Sequence, residues 1–246
     1  MLKNRFSAVV TVKNDIVVQS FKFNEYLPIG KPKVILNNLC EWKADEIILL
    51  SLDNTFKKYP NFNLVQSVSD KNLNTPLIYG GGIKNAEDAK KIINLGADKI
   101  IISSLFFENP NEIIKISELI GKESVILNLI FKKKKNNYIY YNCLKKKFEN
   151  KEISNLLDYF SDYFSEIMLS DFLHDGITNS FDANILKQKF FTDKEIIVFG
   201  GISETKQIKK LVKKKNIRSI AIGNFLNYQE SSILNIKKKF KNEFRN

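Results

Sequence analysis

The sequence predicts an α/β fold, a single (β/α)8 barrel (TIM barrel) that spans residues 1–246. Eight apolar segments alternate with amphipathic helical segments, a pattern typical of a parallel sheet covered by helices. Eight such units fit a chain of 246 residues, which is close to the usual length of this barrel. Short motifs also recur at a constant offset along the chain. A doubly wound sheet is the alternative fold.

The elements follow in order from their apolar patterns. Strands are predicted at residues 6–12, 46–52, 76–80, 98–104, 124–130, 166–170, 195–200 and 218–223. Amphipathic helical segments lie between the strands and after the last one, the clearest of them at residues 86–96, 111–121, 153–164 and 205–214. Residues 131–147 are predicted to form a β-hairpin inserted after the fifth strand, with Asn136–Asn137 as its turn.

The repeat divides the chain into two half-barrels, roughly residues 1–120 and 121–246. "GGGI" at residues 80–83 and "FGGI" at 199–202 are 119 residues apart, as are Ser51 and Ser170. Glycine lets a backbone approach a bound group closely, and the amides that open a helix attract anions. Two such turns at the mouth of one barrel predict two phosphate sites, which suits a substrate phosphorylated at both ends. Close packing of helices on the barrel is the alternative explanation for the glycines.

Composition excludes several classes of protein. The net charge is +12, but the lysine runs are scattered and lack interleaved aromatic residues, which argues against nucleic-acid binding and is compatible with a phosphorylated substrate. No apolar run is long enough for a membrane span. The first residues are not followed by the apolar core of a signal peptide, so a cytoplasmic protein is expected. Cys40, Cys143 and His174 form no recognisable zinc motif, and neither a metal nor a cofactor is predicted.

The motifs resemble those of one known family over essentially the whole chain. "YGGGIKNAEDAKKIINLGADKIIISS" (79–104), "HDGITNSFD" (174–182), "FGGI" (199–202) and "AIGNF" (221–225) are similar to the cyclase subunit of imidazole glycerol phosphate synthase, the HisF-like family. The resemblance implies that a glutaminase partner (HisH-like) releases ammonia at the bottom of the barrel. The ammonia then passes through the barrel to a bisphosphorylated substrate at the top, where two aspartates act as general acid and base.

The resemblance also implies which residues hold the phosphates. The matching positions of the first half are Gly81, Gly82, Ser103 and Ser104. Those of the second half are Asp175, Gly176, Gly200, Gly201, Gly223 and Asn224. Phe199 stands where the family has a small residue and is expected to narrow the second site.

The chain departs from the family at the catalytic positions. Thr11 and Asn128 occupy the two places where the resemblance implies the aspartates, and neither side chain can exchange a proton near neutral pH. Ser51 replaces a further acid, and Gln19 replaces a lysine of a mobile loop. We therefore expect that no catalytic residue of the cyclase is retained.

The opposite end of the barrel keeps the family's pattern. The resemblance implies a ring of four charged residues that gates the passage of ammonia, and here the ring is Arg5, Glu46, Lys99 and Glu166. Two positive and two negative side chains at strand starts can neutralise one another. Asp98 matches the position through which the family docks its glutaminase.

Three functions remain open from the sequence. The first is a barrel subunit that takes ammonia from a glutaminase and supplies another acceptor, for example through a separate sugar amidotransferase in surface-polysaccharide synthesis. The second is an authentic cyclase of histidine biosynthesis with a displaced acid such as Asp15 or Asp53. The third is a non-catalytic protein that binds a phosphoribosyl ligand.

Overall fold

The protein is described by a computed structural model, which covers residues 3–57, 59–69, 74–149, 153–228, 231–240 and 243–245. The strands are β1 Arg5–Lys13, β2 Ile16–Phe21, β3 Glu25–Gly30, β4 Glu46–Ser51, β5 Leu77–Gly80, β6 Lys99–Ile102, β7 Val125–Lys134, β8 Asn137–Asn142, β9 Lys147–Glu149, β10 Glu166–Asp171, β11 Ile196–Phe199 and β12 Ile217–Ile222. The α-helices are α1 Pro32–Glu41, α2 Leu52–Lys57, α3 Phe62–Val68, α4 Ala86–Asn94, α5 Ser104–Glu108, α6 Asn111–Ile120, α7 Ser154–Tyr159, α8 Thr205–Val212 and α9 Ser232–Lys239.

Eight of the strands form a closed parallel barrel. The order around the barrel is β1, β4, β5, β6, β7, β10, β11 and β12, and β12 pairs with β1 to close it. This closure confirms the predicted (β/α)8 barrel and excludes the doubly wound alternative, which would leave two open edges. Every predicted barrel strand starts within one residue of the observed start.

The core has two layers because successive side chains of a strand point to opposite faces. A small inner cluster fills the barrel: Val9, Ile48, Ile78, Ile101, Ile126, Met168, Ile197, Phe199 and Ala221. A larger outer cluster packs the sheet against the surrounding helices. The barrel interior is therefore filled by few side chains. Polar side chains on the inner face belong to the two ends of the barrel. No helix among the described residues has both the length and the apolar character that crossing a bilayer requires.

The hairpin after the fifth barrel strand is confirmed, with a correction to its turn. β7 continues beyond the barrel and pairs antiparallel with β8, which pairs in turn with β9. The turn is Lys135–Asn136 and not Asn136–Asn137, because Asn137 already pairs with Lys134 and Lys135 takes the left-handed conformation (φ 55°).

Two other expectations need correction. Between β10 and β11 the described chain forms short 3-10 helices at Ala183–Lys187 and Lys189–Phe191, so this unit has no α-helix. The helix predicted over 153–164 ends at Tyr159, and a 3-10 turn follows it. The strands β2 and β3, which form a hairpin directly after β1, were not predicted.

Candidate functional sites at the two ends of the barrel

The bottom of the barrel carries a ring of ion pairs. Arg5, Glu46, Lys99 and Glu166 are each the first residue of a barrel strand, in β1, β4, β6 and β10 respectively. Arg5 Nε lies 2.9 Å from Glu46 Oε2, and the guanidinium also pairs with Glu166. Lys99 Nζ lies 3.0 Å from the second carboxylate oxygen of Glu166. The structure thus brings together all four residues that the sequence singled out.

The charges of this ring stabilise one another. Burial alone would raise the pKa of the Glu166 carboxyl, but the positive charges of Arg5 and Lys99 outweigh burial and lower that pKa below its ordinary value. Burial alone would lower the pKa of Arg5, whereas Glu46 and Glu166 raise it above its ordinary value. The Ser7 hydroxyl donates a hydrogen bond to Glu46 from the next layer of the barrel. Both shifts favour the charged forms of Arg5 and Glu166.

Lys99 is the least constrained member of the ring. Its side chain is 28% exposed, against 2% for Glu166, and one ion pair of Lys99 is observed where Arg5 has two. Asp98, the residue before it, is exposed at the same end, and its Oδ2 accepts a hydrogen bond from the Leu77 amide at 2.8 Å. The predicted docking residue therefore lies beside the ring on the outer surface of the barrel.

At the opposite end, the first half of the chain borders a large cavity. The cavity has a volume of about 330 Å³, and four predicted phosphate-binding residues line it: Gly81, Gly82, Ser103 and Ser104. The glycines adopt φ values of 129° and 78°. A β-carbon at Gly81 would lie 2.2 Å from the Ser51 carbonyl oxygen, so this turn requires glycine. Its backbone forms part of the cavity wall because no side chain covers it.

Two buried hydroxyls in this wall lack partners. Neither Ser103 Oγ nor Ser104 Oγ has a partner with hydrogen-bond geometry in the part of the chain that the structure describes. The Cys143 thiol, from the hairpin after β7, lines the same cavity. Burial raises the pKa of this thiol to about 11, although hydrogen bonding with the Ser103 and Ser104 hydroxyls acts in the opposite direction. The thiol is therefore neutral at pH 7, and because a neutral thiol is a weak hydrogen-bond partner, an anionic ligand would compete well for the two hydroxyls.

The second half borders a much smaller cavity. Its volume is about 50 Å³, and its walls include the other six predicted residues: Asp175, Gly176, Gly200, Gly201, Gly223 and Asn224. Gly200 and Gly201 adopt φ values of 96° and 73°, so the second turn repeats the left-handed geometry of the first. The Phe199 ring stands in this wall next to Gly223. The expected narrowing by Phe199 agrees with the difference in volume.

Asp175 and Asn224 hold the unpredicted β2–β3 hairpin. Asp175 Oδ2 accepts hydrogen bonds from the Ser20 hydroxyl at 2.6 Å and from the Phe23 amide at 3.2 Å. Asn224 accepts from the Ser20 amide at 3.1 Å and donates to the Ser20 carbonyl at 2.6 Å. The Phe23 ring stacks on Phe172, packs against the inner cluster and lines the larger cavity. The hairpin is thus fastened over the mouth of the barrel.

The two positions of the implied cyclase aspartates border different cavities. Asn128 is 5% exposed, lines the larger cavity and accepts a hydrogen bond from the Ser170 hydroxyl at 2.7 Å. Thr11 instead borders a cavity of about 20 Å³ together with Asp175 and Phe199. The two positions therefore face separate spaces at the mouth of the barrel.

The other polar residues near the mouth have local partners. Ser51 is buried and donates to Asn54 at 2.7 Å. Asp53 accepts from the Asn14 amide, and Asp15 Oδ1 accepts from Asn61 at 2.8 Å. Both carboxylates therefore stabilise the turn between β1 and β2 and its neighbours, beyond the ends of the barrel strands.

Further polar groups lie around the same mouth. Gln19 lies within β2 and pairs with Leu27 of β3. His174 Nδ1 lies 2.7 Å from Asp171 Oδ2, and this buried carboxylate also accepts from the Asp182 amide. The pair formed by His174 and Asp171 was not predicted. The spacing of three residues is too common in sequences to signal such a contact.

Asp175 should make stability depend on pH. Burial raises the pKa of its carboxyl to about 6 in the folded chain, above the ordinary value of 3.8. The native state then binds the proton more tightly than the unfolded state, so this contribution is fully present below about pH 4 and is lost as pH rises through about 6. Asp175→Asn is expected to flatten the stability profile between pH 4 and 7 by an amount on the order of 2–3 kcal/mol.

The measurement is thermal or urea unfolding of both proteins at half-unit pH intervals. Asp193→Asn, at an exposed carboxylate, is the control and should leave the profile unchanged. Parallel profiles for the native chain and Asp175→Asn would show that Asp175 titrates near its ordinary value.

The fold and these two ends define a (β/α)8 barrel protein with a charged ring at one end and ligand-sized space at the other. The chain belongs to the family described as "Histidine biosynthesis protein", which it matches over residues 6–232. The resemblance drawn from the motifs is thereby confirmed at the level of the family.

Relatives of nearly full length carry related names. A protein of Leptospira interrogans, provisionally named imidazole glycerol phosphate synthase subunit HisF, is 30% identical over 236 residues, which is 93% of this chain and 92% of the relative. A Vibrio vulnificus protein, provisionally named subunit hisF2, is 28% identical over an alignment that covers 98% of this chain and 90% of the relative. The subunit HisF of a Staphylococcus epidermidis strain is 26% identical over an alignment that covers 98% of this chain and 97% of the relative.

Proposed function

We propose that this chain is the barrel subunit of a glutamine-dependent complex, in which it receives ammonia from a glutaminase and passes it to an acceptor other than the cyclase substrate. The observation that carries this proposal is the complete ring of Arg5, Glu46, Lys99 and Glu166. Burying four charges is costly unless each is paired, and an apolar floor would stabilise a barrel equally well. A retained ring therefore indicates a use beyond stability.

The ring suits the passage of a small polar molecule. Ammonia must cross the ring neutral, because the side chains of the inner cluster above it are apolar. Lys99 has a single observed ion pair and the most exposed side chain, so its displacement would open the ring while Arg5, Glu46 and Glu166 keep their pairs. Asp98 stands next to this residue, where a docked partner can influence it.

The residues at the mouth of the barrel support an ammonia acceptor other than the cyclase substrate. Thr11 and Asn128 border different cavities, and neither can act as a general acid or base. The carboxylates that line the two larger cavities of the mouth, Glu108 and Asp175, are engaged by Lys145 at 2.8 Å and by Ser20 at 2.6 Å. Delivery of ammonia to a separate sugar amidotransferase would need no proton transfer at this mouth.

The experiment reconstitutes the chain with a HisH-type glutaminase from the same genome. Glutamate release should rise about tenfold or more, which corresponds to about 1.4 kcal/mol in activation free energy. The two chains should also co-elute in gel filtration. Asp98→Arg should abolish both effects, and Glu87→Arg, at an exposed carboxylate in the first turn of α4 at the opposite end of the barrel, should abolish neither. Absence of both stimulation and complex for the native chain would contradict the proposal.

An authentic cyclase of histidine biosynthesis is the second candidate, and the similarity to the Staphylococcus epidermidis subunit HisF over 98% of the chain favours it. It would need a displaced acid, for which Asp15 and Asp53 are the candidates from the sequence. Supplying ammonium salt and the bisphosphorylated ribulosyl-aminoimidazole substrate distinguishes the two. We expect no imidazole glycerol phosphate, and its formation at a normal rate would establish the cyclase instead.

A further inference from the structure

We propose that the mouth of this barrel binds a small molecule with one phosphate group and an apolar body in the larger cavity, and that it no longer holds a ligand phosphorylated at both ends. This inference concerns the isolated chain and does not depend on any delivery of ammonia. It follows from a comparison of equivalent positions in the two halves of the chain.

The halves differ at the residue that precedes each pair of glycines. Gly80 lines the larger cavity, and 119 residues later Phe199 lines the smaller one. A β-carbon at Gly80 would lie 3.0 Å from Leu50 Cδ2, so the first half has little room for a side chain there. In the second half the Phe199 ring lines the cavity, whose volume is about 50 Å³ against about 330 Å³ in the first half.

The halves also differ in their free hydrogen-bonding groups. Ser104 is 8% exposed, and its hydroxyl has no partner with hydrogen-bond geometry among the described residues. The equivalent residue 120 positions later is Asn224, whose amide is bound twice to the Ser20 backbone. A buried polar group without a partner costs about 1–3 kcal/mol, so the Ser104 hydroxyl favours a bound acceptor, while Asn224 is already satisfied.

The hairpin reinforces this asymmetry. Asp175, which lines the smaller cavity, holds Ser20 and Phe23 through its carboxylate. A phosphate at this site would have to compete with those hydrogen bonds and would place its charge beside an ionised carboxylate. The residues that fasten the hairpin therefore oppose phosphate binding at the second site, in addition to the narrowing by Phe199.

The larger cavity has the composition that a ligand with one anionic end requires. The Gly81–Gly82 backbone and the hydroxyls of Ser103 and Ser104 form its polar corner, and Lys84 stands at its edge. Glu108 also lines the cavity, but Lys145 neutralises it at 2.8 Å. The remaining wall is mainly apolar: Phe23, Leu50, Leu52, Ile83, Ile101, Ile102, Leu105, Ile130 and Leu144. Pockets of about 300–1,000 Å³ with a few converging polar groups are typical of small-molecule sites.

Isothermal titration calorimetry of the full chain tests this inference with three probes: phenyl phosphate, inorganic phosphate and pentane-1,5-diyl bisphosphate. Phenyl phosphate should bind with one-to-one stoichiometry, about tenfold or more tightly than inorganic phosphate, and at least as tightly as the bisphosphate. Ser104→Ala should weaken phenyl phosphate about tenfold, and Ser67→Ala, on α3, should not. Phe199→Ala should raise the affinity for the bisphosphate about tenfold by opening the second site. Circular dichroism of each variant checks that it is folded.

Two results would overturn the inference. One is a native chain that binds the bisphosphate tenfold or more tightly than phenyl phosphate, since a two-ended site would then be intact. The other is no heat of binding with millimolar phenyl phosphate. Because no glutaminase is present, either result leaves the proposed function standing, and a failure of glutaminase stimulation leaves this inference standing.

Discussion

Replacing Glu166 with alanine is expected to lower the free energy of unfolding by about 3–5 kcal/mol, one of the two largest effects predicted for this chain. The Glu166 side chain is 2% exposed and accepts contacts from both Arg5 and Lys99. Its removal leaves Arg5 with Glu46 as its observed ion-pair partner and Lys99 with no observed partner in the ring. The cost arises from positive charge left buried and not from a lost attraction alone, because charged groups in a low-dielectric site need compensation.

Urea denaturation of the native chain and the variant measures this effect. Glu166→Gln, which keeps the shape of the side chain, should show a loss of similar size if charge is the cause. Glu195→Ala is the matched control, because Glu195 pairs with Arg218 at 2.8 Å while its own side chain is 48% exposed. That exposed pair should contribute no more than about 1 kcal/mol. A loss below about 1 kcal/mol for Glu166→Ala would show that the ring is not a buried charge network.

The four residues of the ring were identified through the family resemblance, and the structure supplies the physical reason that they meet. Arg5, Glu46, Lys99 and Glu166 each begin a strand whose apolar pattern is unambiguous, and equivalent ends of parallel strands meet at one end of a barrel. Opposite signs then predict pairing. The sequence does not predict which residue of the ring pairs with which. In the structure Glu166 pairs with both Arg5 and Lys99, and Lys99 is the most exposed member. These contacts depend on the shear of the closed sheet.

The β2–β3 hairpin illustrates what the sequence alone could not predict. β3 contains Pro28 and exposed residues, which are weak signals for a strand. The hairpin is fastened by Asp175 and Asn224, which lie 155 and 204 residues from Ser20. Contacts at such separations leave no periodic pattern in the sequence. The resemblance implied that both residues bind phosphate, and the structure adds that their side chains hold the hairpin.

The asymmetry of the two cavities was predictable in part. The change from Gly80 to Phe199 at equivalent repeat positions indicates a narrower second site, and the cavity volumes agree with it. It could not be predicted that the Ser103 and Ser104 hydroxyls have no backbone partner of hydrogen-bond geometry in the part of the chain that the structure describes, because a serine after a strand usually finds one. Whether a partner is present depends on how distant segments pack together.

Gly81→Ala is expected to lower the free energy of unfolding by at least about 3 kcal/mol, the second large effect. Two costs combine at this residue. Its φ of 129° is rarely adopted by residues with a side chain, and a β-carbon would lie 2.2 Å from the Ser51 carbonyl oxygen. Neither cost can be relieved locally, because Ser51 ends a central barrel strand and its carbonyl cannot move without displacing β4.

Two other glycines separate the conformational cost from the steric one. Gly121 has a φ of 83°, but an added β-carbon would meet nothing within 4 Å, so Gly121→Ala should cost about 1–2 kcal/mol through conformation alone. At Gly30 the nearest described atom would be 4.0 Å away and no left-handed φ is required, so Gly30→Ala should change stability by less than about 1 kcal/mol. Equal losses at Gly81 and Gly121, measured by urea denaturation, would contradict close packing of the turn against β4. The large cavity owes its bare backbone wall to that packing, so such a result would also remove the physical reason for glycine at the first predicted phosphate site.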